Sequence, residues 1–205
     1  MKIFDTLKLP LIIIIVMTFL VLVLSKEDHS KIVLKKEAVV LAFGDSLTYG
    51  YGAVDHSYPL ELEKLLGHVV INAGVSGEVS EIGLLRLPKL LAKYHPQVVI
   101  LCHGGNDILR KYSKNALKDN LRKMVLLSQE SGAMVLVVGV PGFGLLGART
   151  LPLYKEIATE TSTLYEGEVL ETIEQNPALK SDQIHPNTDG YRMMAVAFHN
   201  ILVGD

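Results

Sequence analysis

Ser46, in the segment GDSLTYG, stands just past the apolar run AVVLAF (38–43), where a tight strand-to-helix turn would expose its hydroxyl. A serine hydroxyl is a poor nucleophile at its own pKa and needs a base within hydrogen-bond reach, with an acid to orient that base. Asp182-Gln183-Ile184-His185-Pro186 supplies such a pair. One turn of backbone puts the carboxylate and the imidazole on the same side, so Asp182 could hold the His185 ring in one tautomer. Acyl transfer also builds negative charge on the former carbonyl oxygen, which calls for preorganised donors. Asn106 follows a Gly-Gly pair at a strand end, and Gly77 lies in a loop where a missing Cβ lets a backbone N–H approach a substrate. Each residue has a plainer reading: Ser46 as a helix N-cap, Asp182 and His185 as a polar loop, Gly77 and Asn106 as turn residues. A metal site is the other alternative, but one His with one Asp is too few ligands, and there is no HExxH or CxxC. Cys102 and His103 are neighbours on one strand, so they point to opposite faces and form no dyad. Cys102 reads as a small buried apolar residue. Asp45 and Asp107 flank the site and read as loop residues that hydrogen-bond local backbone.

The elements that would position these residues alternate between two periodicities. AVVLAF, HVVINA (68–73), QVVILC (97–102) and AMVLVVGV (133–140) are short valine-rich runs, suited to strands buried on both faces of a parallel sheet. Between them lie helical patterns. In 80–94 the apolar side is predicted to contain Ile82, Leu85, Leu90 and Leu91, with Pro88 bending or restarting the helix. In 113–131 the apolar side runs through Leu117, Leu121, Met124, Val125 and Leu127, and a last helix covers 190–202. The alternation means an α/β sandwich with right-handed crossovers. The expected fold is a three-layer α/β/α, flavodoxin-like sheet with four or five parallel strands, the fifth near STLYEG (162–167). Ligands in such sheets gather at the carboxyl ends of the strands. GDSLTYG, NAGVSGEVS, HGGNDILR and PGFGLLG fall there, with DQIHPNTDG opening the last helix. In the apolar loop 141–147, Leu145 and Leu146 are candidate acyl-chain contacts, an ordinary turn being the alternative.

GDSLTYG around Ser46, Gly77 in NAGVSGEVS, Asn106 in GGND, and Asp182 with His185 in DxxHPN resemble the four blocks of the SGNH (GDSL-type) hydrolases, in family order. The resemblance runs from about Ala38 to the C-terminus and is most evident towards the bacterial acyl-CoA thioesterase, lysophospholipase and arylesterase branch. It implies a serine ester hydrolase acting through an acyl-enzyme, with no metal or organic cofactor. It implies Ser46 as nucleophile, His185 as base and later acid, and Asp182 as its orienting carboxylate. The backbone N–H groups of Ser46 and Gly77 and the Asn106 side chain form the implied oxyanion hole. Thr48 stands where the G-x-S-x-G elbow of ordinary α/β-hydrolases has its second glycine, and this departure fits the SGNH pattern.

The rest of the chain bounds its partners. Of 205 residues, 49% are hydrophobic and 20% charged, so a packed core is expected, and a formal net charge of −2 offers no basic field for nucleic acid. The lone Cys102 excludes an intramolecular disulfide. Between Lys8 and Lys26 the run LPLIIIIVMTFLVLVLS carries no charge and would reach roughly 25 Å as a helix. Residues 1–25 are therefore read as a single membrane anchor, with a cleaved signal segment and a secreted product as the alternative. Residues 26–37 form a charged tether and 38–205 the hydrolase domain, expected on the periplasmic or extracellular side. The expected partner is a small-molecule or lipid acyl ester. Two further alternatives are a carbohydrate O-acetyl esterase on the same fold and a catalytically silent, membrane-tethered binding module.

Overall fold

The computed structural model describes residues 33–144 and 147–204. The predicted anchor, most of the tether, and Leu145 with Leu146 lie outside the described residues. Among the described residues no helix is long and apolar enough to cross a membrane.

The valine-rich runs become strands because branched side chains fit a pleated surface packed on both faces. They form β1 (Val39–Gly44), β2 (Val69–Gly74), β3 (Val98–Cys102) and β4 (Met134–Val138). β5 (Pro141–Gly144) and β6 (Gly147–Thr150) then make a separate antiparallel hairpin, where the sequence pattern suggested only an apolar loop. β7 (Leu164–Glu166) is the fifth parallel strand, inside the segment predicted for it. The sheet order is β2-β1-β3-β4-β7 with every pair parallel, which is the expected flavodoxin-like topology.

Eight α-helices occur among the described residues. α1 (Ser46–Tyr49), α2 (Tyr58–Leu66), α3 (Ser80–Tyr94) and α4 (Gly105–Leu109) follow the first three strands. α5 (Lys114–Glu130), α6 (Pro152–Thr161), α7 (Val169–Gln175) and α8 (Thr188–Val203) complete the chain. α2 packs on α8 in one layer, while α3, α5 and α6 pack in series in another. Phe43, Ile100, Leu62, Leu121 and Phe198 are among the fully buried side chains between the layers. Each such side chain is worth roughly 1.5–3 kcal/mol of apolar burial.

Two expectations about α3 are corrected. Pro88 does not restart the helix, which runs unbroken from Ser80 to Tyr94. Only one backbone hydrogen bond is forfeited there, and the packed neighbours hold the rest. Of the predicted apolar side, Leu91 faces inward and Leu90 is partly buried, but Ile82 and Leu85 are exposed; Ser80, Gly83 and Leu87 complete the inward face. The inward face is centred on Gly83 because a buried imidazole needs the space: a Cβ there would stand 2.4 Å from His103 Nε2. α5 buries Leu117, Leu121, Met124 and Val125 as the periodicity predicts.

Strand order reverses between β1 and β3, and the crevice at such a switch point is where open α/β sheets place ligands. Ser46 opens the short helix that follows β1, and Asn106 lies in the short helix that follows β3.

Candidate active site

Ser46 is the first residue of α1 and not its cap. Asp45 is the N-cap, and its Oδ1 accepts the Leu47 N–H at 3.2 Å. After one turn the helix ends at Gly50. Burial raises the Asp45 carboxyl pKa, and the nearby His103 and backbone N–H groups only partly offset this. Asp45 thus serves the turn locally, as expected of it.

The segment between α7 and α8 closes on itself before it reaches Ser46. Lys180 bridges Pro186, and the Ser181 N–H donates to the His185 carbonyl at 2.8 Å. Within this closed loop Asp182 Oδ1 accepts the N–H groups of Ile184 and His185, each at 2.8 Å. Its Oδ2 lies 2.7 Å from His185 Nδ1. Burial acts to raise the Asp182 pKa, but the Ile184 and His185 hydrogen bonds outweigh it and hold the carboxyl below its ordinary range. A carboxylate there accepts a proton-bearing Nδ1, which leaves the Nε2 lone pair of the neutral ring facing outward. Ser46 Oγ lies 3.1 Å from that Nε2. The Tyr51 ring packs against the imidazole, with centroids 4.4 Å apart.

Asn106 sits in α4, and its Nδ2 donates to the Glu78 carbonyl at 3.0 Å. An amide nitrogen carries two hydrogens, so one remains for the cleft. Gly77 has φ +79°, a conformation that a side chain would strain, and Arg110 donates to its carbonyl at 2.9 Å. The cleft lining includes Ser46, Asn106 and His185 but not Gly77, which lies on the exposed loop beside it. The hydrogen bond from Asn106 to Glu78 ties that loop to the cleft.

Several supporting residues carry no motif. Glu78 is nearly fully buried and holds Arg86 through two hydrogen bonds, Nε at 2.9 Å and Nη2 at 2.6 Å. On its other side lies His103 Nε2 at 3.2 Å. Burial works to raise the Glu78 pKa, yet its bonds to His103 and Arg86 prevail and lower it. Asp107 corrects the expectation of a local role. Its carboxylate takes the Ser80 N–H at 2.8 Å and the Ser80 hydroxyl at 2.6 Å, so it anchors α3 from α4. Cys102 is fully buried, as read, and burial pushes its thiol pKa well up. Beside Ser46 the cleft opens to a small space of about 40 Å³, walled mainly by apolar residues of α4, β5, α7 and the His185 loop.

Residues 42–193 match the model of the GDSL-like lipase/acylhydrolase family. The chain belongs to that family. It is therefore a carboxylic ester hydrolase, and the silent binding module falls away. An arylesterase of Vibrio mimicus is 31% identical over 76% of this chain and 84% of its own length. The thioesterase 1/protease 1/lysophospholipase L1 of Escherichia coli K12 is 30% identical over 76% of this chain and 79% of its own. Among solved structures, the esterase EstA of a Pseudoalteromonas species, inhibited by monoethylphosphonate, superposes with a TM-score of 0.72. It is 26% identical over 80% of this chain and 96% of its own.

Proposed function

We propose that Ser46, His185 and Asp182 hydrolyse carboxylic esters and thioesters through a covalent acyl-enzyme. The observation that carries this reading is the continuous contact from Asp182 to His185 to Ser46, at 2.7 and 3.1 Å. Ser46 Oγ attacks the acyl carbon while its proton passes to His185 Nε2, and the Asp182 carboxylate stabilises the imidazolium. Negative charge on the tetrahedral oxygen is met by the Ser46 and Gly77 N–H groups and the free Asn106 amide hydrogen. Collapse breaks the bond to the leaving oxygen or sulfur, which takes the proton from His185. Water then repeats the sequence: His185 removes its proton, the acid departs, and the Ser46 hydroxyl is restored.

The named activities of the arylesterase and the thioesterase/lysophospholipase relatives support aryl, alkyl and thiol leaving groups. The full chain in detergent micelles, given p-nitrophenyl esters and acyl thioesters, is expected to turn over both, and Ser46→Ala to turn over neither. Turnover that survives in Ser46→Ala would remove Ser46 as the nucleophile.

Residues 1–25 anchor the enzyme to the membrane within this reading, with the hydrolase domain on the periplasmic or extracellular side. The charge-free run from Leu9 to Ser25 supports it. Fractionation of cells producing the full chain should leave activity in the membrane pellet after a carbonate wash. Activity in the medium, on a shortened chain, would favour cleavage.

A further inference from the structure

The small cleft beside Ser46 is walled by Ile108, Val140, Pro141, Leu170 and Ile184, which suits an acyl chain. One residue in that wall does not. Glu174 follows Leu170 by one turn of α7 and also lines the cleft. Its side chain is 8% exposed, and its Oε2 lies 3.1 Å from Lys180 Nζ, itself 15% exposed. Lys180 donates a second time, to the Gln183 carbonyl at 2.9 Å, within the loop that carries Asp182 and His185. The pair is thereby held in place, because Lys180 cannot leave Glu174 freely without loosening that loop.

An ion pair at the edge of burial depends on the little water it still reaches. An acyl chain that extends along the α7 wall covers it and removes that water, so each added methylene meets a charged surface where an apolar one would reward it. The space agrees: about 40 Å³ is an order of magnitude below the roughly 300–1,000 Å³ of drug-sized ligand sites. Burial already raises the Glu174 carboxyl pKa against the opposing effect of Lys180, which fits a group short of solvent.

We propose that Glu174, held by Lys180, is the specificity-determining residue of the acyl site and restricts it to short acyl groups, acetyl to butyryl. The proposal rests on the reading of Ser46 as the nucleophile. Glu174 itself takes no part in bond making or breaking.

The test compares the full chain with Glu174→Leu, Glu174→Gln and the double variant Glu174→Leu/Lys180→Met on p-nitrophenyl acetate, butyrate and octanoate in the same micelles. The double variant leaves no orphaned ammonium, so it keeps the test open if the single variant folds badly. The unaltered protein should prefer acetyl or butyryl esters. Glu174→Leu and the double variant should raise the octanoyl-to-acetyl ratio of kcat/KM on the order of 10-fold or more. An unchanged ratio, an equal fall at every chain length, or an unaltered protein that prefers octanoate would overturn the proposal. In those three cases Ser46-dependent turnover persists. Loss of the catalytic reading looks different, since no ester is then cleaved in a Ser46-dependent way, and the proposal goes with it.

Discussion

His103 Nε2 lies 3.2 Å from Glu78 Oε2, a buried contact that joins the end of β3 to the loop carrying Gly77. Arg86 of α3 grips the same carboxylate from another side, and the Glu78 carbonyl receives the Asn106 side chain. One residue thus touches both proposed oxyanion donors that lie outside the nucleophile turn: it is bonded to Gly77 in the chain and to Asn106 in space. Preorganised donors work because they need no rearrangement as charge develops, so whatever holds this loop still contributes to rate.

Replacing Glu78 by alanine should lower kcat with little change in KM, because loop placement matters most in the transition state. It also leaves His103 and Arg86 without their partner, at a cost of about 3 kcal/mol, the low end for a broken buried pair since Arg86 can regain water. Glu78→Gln keeps the shape and should recover part of the rate. Urea unfolding beside p-nitrophenyl acetate kinetics separates the two effects; a stability loss at unchanged kcat would leave Glu78 with a structural role only.

Asn106→Ala removes the proposed side-chain donor. The expected fall in kcat is roughly 10²–10³, with KM nearly constant. Steady-state kinetics at saturating ester decides it, and an unaltered kcat would take Asn106 out of the oxyanion hole.

Asp182 titrates below its ordinary range, which fixes the sign of its pH dependence. A carboxyl whose folded pKa is depressed contributes stability above its unfolded pKa and loses it as pH falls through the folded value. On the way from neutral pH to mild acid Asp182 therefore stays ionised, so loss of its charge should contribute nothing to any fall of kcat/KM measured across that window. Asp182→Asn should cost about 10³–10⁴ in kcat, since the amide no longer selects the tautomer that faces Ser46. A variant with near-normal kcat would show that the closed loop alone orients the ring.

Gly83→Ala places a methyl 2.4 Å from His103 Nε2 and 3.2 Å from Glu78 Oε2. Overpacking of this kind costs about 1–3 kcal/mol, and here it also pushes on the support of the Gly77 loop. Thermal unfolding should show the loss, together with a lower kcat than Ile82→Ala on the exposed side of the same helix. Equal behaviour of the two variants would mean that His103 moves without consequence.

Cys102 should resist a thiol reagent in the folded protein and react fully in guanidinium. It is fully buried, and burial holds the thiol protonated. Rapid labelling under native conditions would contradict that burial.

Much of this was legible in the chain because the informative signals are local. Valine-rich runs separated by helical patterns imply a parallel sheet with right-handed crossovers, and the flavodoxin-like order expected of it is the one formed. Ser46, Asp182 and His185 were legible for the same reason, as short motifs at strand and helix ends. Periodicity failed on α3: Ile82 and Leu85 are apolar yet exposed, because the inward face is chosen by what lies beneath it, and that is His103.

By itself, then, the sequence determined the α/β architecture, the ester-hydrolase family and the residues able to form a nucleophile, a base and an acid. Tertiary structure alone decided their alignment: 139 positions separate Ser46 from His185, and only the closed loop before α8 brings Nε2 to 3.1 Å from Oγ. It also decided the pairings of Glu78, Asp107 and Glu174, charged residues whose partners lie on other elements. Local patterns encode which face of an element is apolar. They do not encode which distant charge will be buried against it, because that depends on the packing of elements remote in the chain.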